Sequence, residues 1–191
     1  MFNLDQFIGE CRRLAGRNEP RQILKLMREA VRDPEALKRA VTPLDAKVGV
    51  LDAPPLFRSD DLTILNVTLR PGVLSIPHDH RVWAVIGIYE GQENNTFFRR
   101  SGQALGAAKT REVRAGEAVL LGADVVHAIE NPLPVQTLGL HVYGGDLFAA
   151  ERSMWSPHTG EEHPYDIPQF TRWCGERARS RRAAPASEAR P

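Results

Sequence analysis

The sequence GVLSIPHDHRVWAVIGIYEG spans residues 72–91, and GEAVLLGADVVHAIEN spans residues 116–131, of this 191-residue chain. Both stretches belong to a region of short apolar and β-branched runs that are separated by Gly, Pro, Asn and Asp. These turn residues recur about every 8–12 residues, a spacing typical of an all-β sandwich or barrel rather than of alternating βα units. The predicted strands are residues 47–51, 62–69, 82–90, 95–100, 109–113, 117–122, 125–130 and 135–143.

The first 45 residues have helical rather than strand periodicity. A first helix, capped by Asn3 or Asp5, is predicted to run to about Ala15. Pro20 then stands near the first position of a second helix, and Pro34 opens a short third one. Because this region contains no histidine and no motif, we expect it to cover one side of the barrel.

Histidines mark the predicted functional site. His78 and His80 lie two residues apart, so on a strand they share a face, whereas Asp79 faces the other way and is assigned a structural role. His127 and His141 each lie within an apolar run. Burying an imidazole among Val, Ile and Leu is costly unless a partner binds it. This set of histidines therefore predicts a metal site.

The run GLHVY, residues 139–143, adds a second polar face. Alternation places Gly139, His141 and Tyr143 on one side of the strand and the intervening Leu and Val on the other. The polar set would then line an interior pocket while the apolar pair packs outward, or the reverse. The alternative is that these histidines are structural, in a barrel that binds a sugar or a lipid.

Two motifs in these stretches resemble those of the cupins. Residues 72–91 fit G-x5-H-x-H-x3-E-x6-G, with Ala84 in the glutamate position. Residues 116–131 fit G-x5-P-x-G-x2-H-x3-N, with Gly122 for Pro and Asp124 for Gly. The resemblance implies a mainly β fold, the cupin double-stranded β-helix (jelly-roll) barrel, with the N-terminal helices packed on it.

Within the cupins, the chain resembles the thiol dioxygenases of the cysteine dioxygenase family and a bacterial branch of metal-dependent double-stranded β-helix proteins. The family also lacks the motif glutamate and carries S-x-H-x-Y, which matches residues 139–143 with Gly139 in place of Ser. The resemblance implies a mononuclear non-heme Fe(II) dioxygenase that uses O₂ to oxidise a small organic thiol to a sulfinate. It implies His78, His80 and His127 as the metal ligands, and His141 and Tyr143 as catalytic residues beside the iron.

A ligand set of three histidines suits such chemistry. Three neutral imidazoles on one face of Fe(II) leave up to three positions for substrate and O₂, whereas the more usual oxygenase triad contains a carboxylate. The site then keeps its full +2 charge, which favours an anionic ligand such as a thiolate. Ala84 frees the space that the cupin glutamate would fill. Mammalian relatives hold at this position a cysteine joined to the active-site tyrosine, so Tyr143 works without that crosslink.

Arginines are the candidates for binding a substrate carboxylate. In the family this residue stands in a Y-x-R context upstream of the barrel, and the nearest match is Phe57-Arg58. The predicted substrate-binding residues are Arg58, Arg70 and Arg81. Two further arginines are alternatives: Arg99 and Arg100.

Two other functions stay open at this point. A three-histidine site could hold Zn, Ni or Mn and serve carbon–carbon cleavage, isomerisation or hydrolysis. Alternatively, the barrel could bind or sense a small ligand without catalysing a reaction.

Charge is unevenly distributed along the chain. From Arg172 onward there are six arginines and two glutamates, so this segment carries +4; since the whole chain carries +1, residues 1–171 carry −3. We expect residues 172–191 to be a disordered basic tail. It would follow a helical layer at 1–45 and a barrel at 46–171, in one structural domain.

Composition also limits location and partners. A net charge of +1 argues against a nucleic-acid partner, and no apolar run approaches the roughly 18 residues of a membrane span. The N-terminus lacks the pattern of a signal peptide, and the two cysteines form no disulfide framework. We expect a cytoplasmic monomer or homodimer whose partners are a small-molecule substrate and O₂.

Overall fold

The computed structural model describes residues 2–41, 54–101 and 104–183. The predicted strand at 47–51 lies outside these ranges, and each of the other predicted strands is present. Three short strands, the first and the last two in the chain, are additional. The strands are β1 Phe57–Arg58, β2 Thr63–Leu69, β3 Ala84–Glu90, β4 Gln92–Ser101, β5 Ala104–Arg114, β6 Glu117–Leu121, β7 Val126–Glu130, β8 Thr137–Tyr143, β9 Ser153–Trp155 and β10 Glu162–Pro164.

Two antiparallel sheets form the barrel. The larger has five strands in the order β1-β2-β8-β3-β6, and the smaller has three in the order β5-β4-β7. Strands β9 and β10 pair with each other. Apolar side chains of both sheets meet in one interior cluster that includes Leu65, Ile86 and Ile129. The chain has the mainly β, double-stranded β-helix fold that the sequence predicts.

Three N-terminal helices cover the outer face of the five-stranded sheet. They are α1 Leu4–Ala15, α2 Pro20–Ala30 and α3 Pro34–Val41, and the Asn3 side chain caps the first by accepting a hydrogen bond from the Gln6 N–H. Helix α2 packs closely on β3, since a Cβ at Gly87 would collide with the side chain of Met27, a residue of α2. The helical layer is confirmed where residues 2–41 are described.

Strand β8 decides which residues face the helices and which face the barrel interior. Leu140 and Val142 belong to the cluster that packs on α1 and α2, whereas Tyr143 belongs to the interior cluster. His141 and Tyr143 both line the interior cavity. The predicted alternation is therefore found, with the polar side chains inward.

The C-terminal segment corrects one expectation. Residues 172–183, predicted as part of a disordered tail, continue a helix, α4, that spans Ile167–Ala183. Phe170 is buried against Ile76 and Met154, with Trp173 and Cys174 packed beside them. The Arg177 side chain donates a 2.6 Å hydrogen bond to the carbonyl of Ser75, which anchors the next turn. The arginine-rich composition predicts disorder, but burial of these apolar side chains offsets the entropic cost of ordering the segment.

No helix in the described part of the chain is both long enough and apolar enough to span a membrane.

Helix α4 should contribute to stability through Phe170. Its ring is 8% exposed and its centroid lies 5.1 Å from that of His78. We expect Phe170→Ala to lower the free energy of unfolding by about 3 kcal/mol, measured by urea denaturation, because it leaves a cavity under the helix. Ser180→Ala, at an exposed position of the same helix, is the control. A loss no larger than that of the control would contradict the packing of this helix on the barrel.

Candidate metal centre

A pair of backbone hydrogen bonds brings His78 and His127 together. The N–H of His78 donates to the carbonyl of His127 at 2.9 Å, and the N–H of His127 donates to the carbonyl of His78 at 2.9 Å. Facing residues of an antiparallel pair project to the same side of the sheet, so their rings lie with centroids 4.7 Å apart. His80 comes to the same side two residues later, with its ring 4.9 Å from that of His127.

Hydrogen bonds fix which ring nitrogens are available. The Nδ1 of His78 lies 3.1 Å from the carbonyl oxygen of Ile76, and the Nδ1 of His127 lies 2.8 Å from Oδ1 of Asn95. Both oxygens are acceptors, so each Nδ1 carries the hydrogen and each Nε2 presents a lone pair. The Nε2 atoms of His127 and His80 are 3.4 Å apart. Two nitrogens bound about 2.1 Å from one ion would be separated by about 3.0–3.4 Å.

Burial keeps these rings in the form that binds metal. It lowers the pKa of His78 to about 4, and it lowers the pKa values of His80 and His127 well below the ordinary value, with neighbouring histidines adding to the effect. The three rings are thus neutral at physiological pH. Their ligand atoms lie within 4.8 Å of one another, and they are the group of three in the described chain that could hold an ion. The donor set fits a divalent transition metal.

The cluster opens into a cavity of about 240 Å³ inside the barrel. Strands β2, β3 and β7 contribute apolar walls, among them Leu65, Ile86 and Ile129, and helix α4 contributes Phe170 and Cys174. Such a volume holds a small molecule of a few heavy atoms. The apolar walls keep bulk water away from the metal cluster and strengthen the electrostatic interactions inside it.

Tyr143 and His141 form a pair at the wall of this cavity. The Tyr143 hydroxyl lies 3.1 Å from Nδ1 of His141, and its ring centroid lies 5.0 Å from that of His80. Burial raises the pKa of the Tyr143 hydroxyl, with the charge of Glu93 adding to the effect, so the tyrosine is protonated at neutral pH. Both residues thus lie beside the three-histidine cluster.

Asp79 supports the cluster from behind. Its carboxylate is 1% exposed and accepts hydrogen bonds from the Ser153 N–H at 2.7 Å and from Nη2 of Arg100 at 2.7 Å; Nε of Arg81 lies 2.9 Å away. The bond to Ser153 ties the chain between His78 and His80 to β9. Asp79 therefore has the structural position that alternation predicts.

The predicted substrate-binding arginines lie elsewhere. Arg58 makes two 2.9 Å hydrogen bonds to the carboxylate of Asp146 and stacks on Phe148, and Arg81 pairs with Asp79. Arg70 is exposed. None of the three is among the residues that line the cavity. This corrects the sequence-based expectation, since nearby carboxylates hold two of these guanidinium groups outside the cavity.

Arg152 takes the position that they were expected to occupy. It lines the cavity, is 8% exposed, and its guanidinium carbon lies 3.8 Å from the centroid of the Tyr165 ring. Its Nε is buried without a hydrogen-bond partner, and no carboxylate of the described chain forms an ion pair with it. A buried cation without an anion is costly, so Arg152 is suited to an anionic ligand. The sequence analysis named other arginines as candidates and missed Arg152, which lies nine positions after Tyr143.

Glu93 and Asn95 are two further buried polar residues that the sequence analysis missed. Both are 0% exposed and lie two residues apart on β4, where they share a face. Nδ2 of Asn95 donates to Oε1 of Glu93 at 2.9 Å, while its Oδ1 accepts from His127. The available signal was the alternation of Glu93, Asn95 and Phe97 along the strand that follows the first motif.

Comparison with known proteins gives only partial matches. No protein-family model matches the chain. A Klebsiella pneumoniae structure, described as an uncharacterized conserved protein with a double-stranded beta-helix domain, is 14% identical with a TM-score of 0.46, over 61% of this chain and 86% of that one. A Thermus thermophilus protein is 21% identical with a TM-score of 0.43, over 57% of this chain and 93% of that one.

The DMSP lyase DddQ of Ruegeria pomeroyi is 21% identical with a TM-score of 0.41, over 52% of this chain and 45% of that one. These similarities are too weak to assign the chain to a family. Fold and function therefore rest on the geometry of the chain itself.

Stability should respond to pH through Glu93. Burial raises the pKa of its carboxyl from 4.5 to about 7 in the folded protein. Because the folded state holds this proton more tightly than the unfolded chain does, the protonated carboxyl contributes fully to the free energy of unfolding at a pH below its unfolded pKa. That contribution is lost as the pH rises through about 7. As the pH rises from 4.5 to about 7, the free energy of unfolding of Glu93→Gln should increase by about 3 kcal/mol relative to that of the wild type, measured by urea denaturation.

The control is Glu112→Gln, a half-exposed glutamate on β5. Its stability should follow that of the wild type at every pH. Parallel curves for the wild type and Glu93→Gln would contradict the raised pKa.

Proposed function

We propose that this protein is a mononuclear non-heme Fe(II) dioxygenase that uses O₂ to oxidise a small, anionic organic thiol to a sulfinate. The observation that carries the proposal is the convergence of three buried neutral imidazoles, without a carboxylate, on a cavity that also contains Arg152. The resemblance of residues 72–91 and 139–143 to the thiol dioxygenase motifs supports the choice of reaction.

The charge of the cavity supports an anionic substrate. No aspartate or glutamate is among its described lining residues, and three neutral ligands would leave the full charge of a divalent ion in place. A thiolate would be attracted to the ion, and a second anionic group, such as a carboxylate, to Arg152. The described cavity wall has no carboxylate that could bind an ammonium group, which argues against a substrate that must be held by its ammonium group.

Each residue then has a defined task. A bound Fe(II) would supply the electron-transfer chemistry by which O₂ reacts beside the substrate sulfur. His78, His80 and His127 would hold the ion through Nε2, and Arg152 would orient the substrate through its anionic end. The Tyr143 hydroxyl can donate a hydrogen bond to an oxygen or sulfur atom placed near His80. The apolar walls would keep competing water out.

Ala84 supports the same reaction. It lies directly across from Tyr143 in the pairing of β3 with β8, and it is 0% exposed. A methyl group here brings neither a fourth protein ligand nor a sulfur atom to the tyrosine. The open positions of the ion would thus be left to substrate and O₂.

The direct test is O₂ consumption by protein loaded anaerobically with Fe(II). Small thiols that carry a carboxylate should be oxidised, with the sulfinate detected by mass spectrometry. His80→Ala should lose both metal and turnover, while His158→Ala, at an exposed histidine that pairs with Glu176, should keep both. Stoichiometric iron without O₂ consumption on a panel of small thiols would contradict the thiol reaction, and native protein that holds Zn, Ni or Mn would favour other metal chemistry.

Arg152 should determine affinity for the anionic end of the substrate. We expect Arg152→Met to raise KM for a carboxylate-bearing thiol roughly 10- to 100-fold, the loss of one charge-assisted interaction of about 1.5–3 kcal/mol, without changing metal content. Arg58→Met is the matched control, because Arg58 also stacks on an aromatic ring but lies outside the cavity. Equal KM values for the two variants would contradict this role.

A further inference from the structure

Two buried polar atoms face each other behind the cavity without a hydrogen-bond partner. They are Oε2 of Glu93 and Nε2 of His141, which lie 3.8 Å apart. That separation is slightly longer than a hydrogen bond and too short to admit a bridging water, so a small rotation of either side chain brings the two atoms within hydrogen-bond distance. Leaving both atoms unpaired is expensive in a barrel interior. A single proton held between them would satisfy both at once.

From these atoms we infer that Glu93 is the positioning residue of the site: its carboxyl sets the direction of the hydrogen bond between His141 and Tyr143. Glu93 is not among the residues that line the cavity, so it acts through the other two. The inference concerns the same cavity as the proposed function but does not depend on the thiol reaction, because it fixes the place of a proton in the resting protein.

The chain of contacts allows two arrangements. When the Glu93 carboxyl is protonated, it donates to Nε2 of His141, whose hydrogen is then on Nδ1 and donates to the Tyr143 oxygen. The tyrosine proton is left to point into the cavity. When Glu93 is ionised, Nε2 carries the hydrogen and donates to the carboxylate, and Nδ1 instead accepts the tyrosine proton. One proton at Glu93 thus decides whether Tyr143 offers the cavity a donor or an acceptor.

Asn95 gives the carboxyl a fixed orientation. Its Nδ2 donates to Oε1 of Glu93 at 2.9 Å, and its Oδ1 accepts from Nδ1 of His127 at 2.8 Å. Oε1 is therefore occupied, and Oε2 is the atom turned toward His141. The same amide holds His127 with its Nε2 free for metal, so one strand positions both a metal ligand and the tyrosine pair.

Gly139 leaves room for this arrangement. A Cβ at this position would lie 2.9 Å from Nε2 of His141, closer than real Cβ contacts allow, and 3.0 Å from Cδ1 of Ile88, which is tighter than most. The family motif has Ser at this position. In this chain the serine side chain is absent, and the buried carboxyl of Glu93 lies beside the His141 ring instead. Glu93 supplies the polar partner for His141 that residue 139 does not.

The groups around Glu93 are consistent with a titratable carboxyl. Its partner across the β4–β5 pair is the apolar Val113. The titratable groups that face it are His141 and Tyr143 from β8 and, through Asn95, His127 from β7. Burial lowers the pKa of His141 to about 3 and raises that of Glu93 to about 7, so the histidine is neutral in both arrangements.

The test is the tautomer of His141, read from imidazole nitrogen chemical shifts in protein loaded with diamagnetic Zn²⁺. In the wild type the hydrogen should be on Nδ1 at a pH below the pKa of Glu93 and should move to Nε2 as the pH rises through that pKa, which burial raises. Glu93→Gln should hold it on Nδ1 at every pH, because Asn95 keeps the amide oxygen on its own side and turns the amide nitrogen toward His141. Glu112→Gln should behave as the wild type.

Two results would overturn the inference. One is a wild-type protein in which His141 has the same tautomer as in Glu93→Gln at every pH. The other is a Glu93→Gln variant in which the hydrogen of His141 is on Nε2. The wild-type titration decides the question alone if the variant does not fold. Because no turnover is measured, an inactive protein could still confirm the role of Glu93, and an active thiol dioxygenase could still refute it.

Discussion

The reciprocal backbone pairing of His78 with His127 is the constraint on which the site depends. Two hydrogen bonds of 2.9 Å hold these residues opposite each other across the barrel wall. Any shift of register by one residue would turn one of the rings away. The pairing also brings β9 alongside, because His78 forms a bridge with Met154 as well. This contact positions Arg152, which lies two residues before Met154, and the loop that leads to helix α4.

Burial gives these side chains their chemistry. Four histidines inside the barrel are neutral because an imidazolium there would be unsolvated, while one carboxyl, that of Glu93, is close to its titration point at neutral pH for the same reason. Among the described lining residues, the cavity holds a single guanidinium, that of Arg152, and no carboxylate to pair with it. An interior of this kind attracts anions and favours a cation shared by neutral ligands.

Much of this arrangement could be predicted from the sequence. Period-2 alternation in β8 predicted that His141 and Tyr143 share a face, and the resemblance to the cupin motifs implied that His78, His80 and His127 converge. The C-terminal helix was missed because an arginine-rich composition was given more weight than periodicity. Phe170, Trp173, Cys174 and Arg177 stand at helical spacing, and their apolar stripe packs on the barrel.

The residues that tune the site were harder to predict. Arg152 and Glu93 lie outside both motifs, and on a strand or loop a charged residue usually faces water. Only the three-dimensional pairing shows that β4 and the loop before β9 turn these two groups inward. Conversely, Arg58 and Arg81 were plausible until the structure placed a carboxylate beside each of them.

Binding of one metal ion by three histidines in the barrel can be tested with crystals of protein loaded anaerobically with Fe(II) and measured at the iron absorption edge. We expect one anomalous peak about 2.1 Å from the Nε2 atoms of His78, His80 and His127. A peak elsewhere, or a protein that retains stoichiometric iron after His80→Ala, would contradict it.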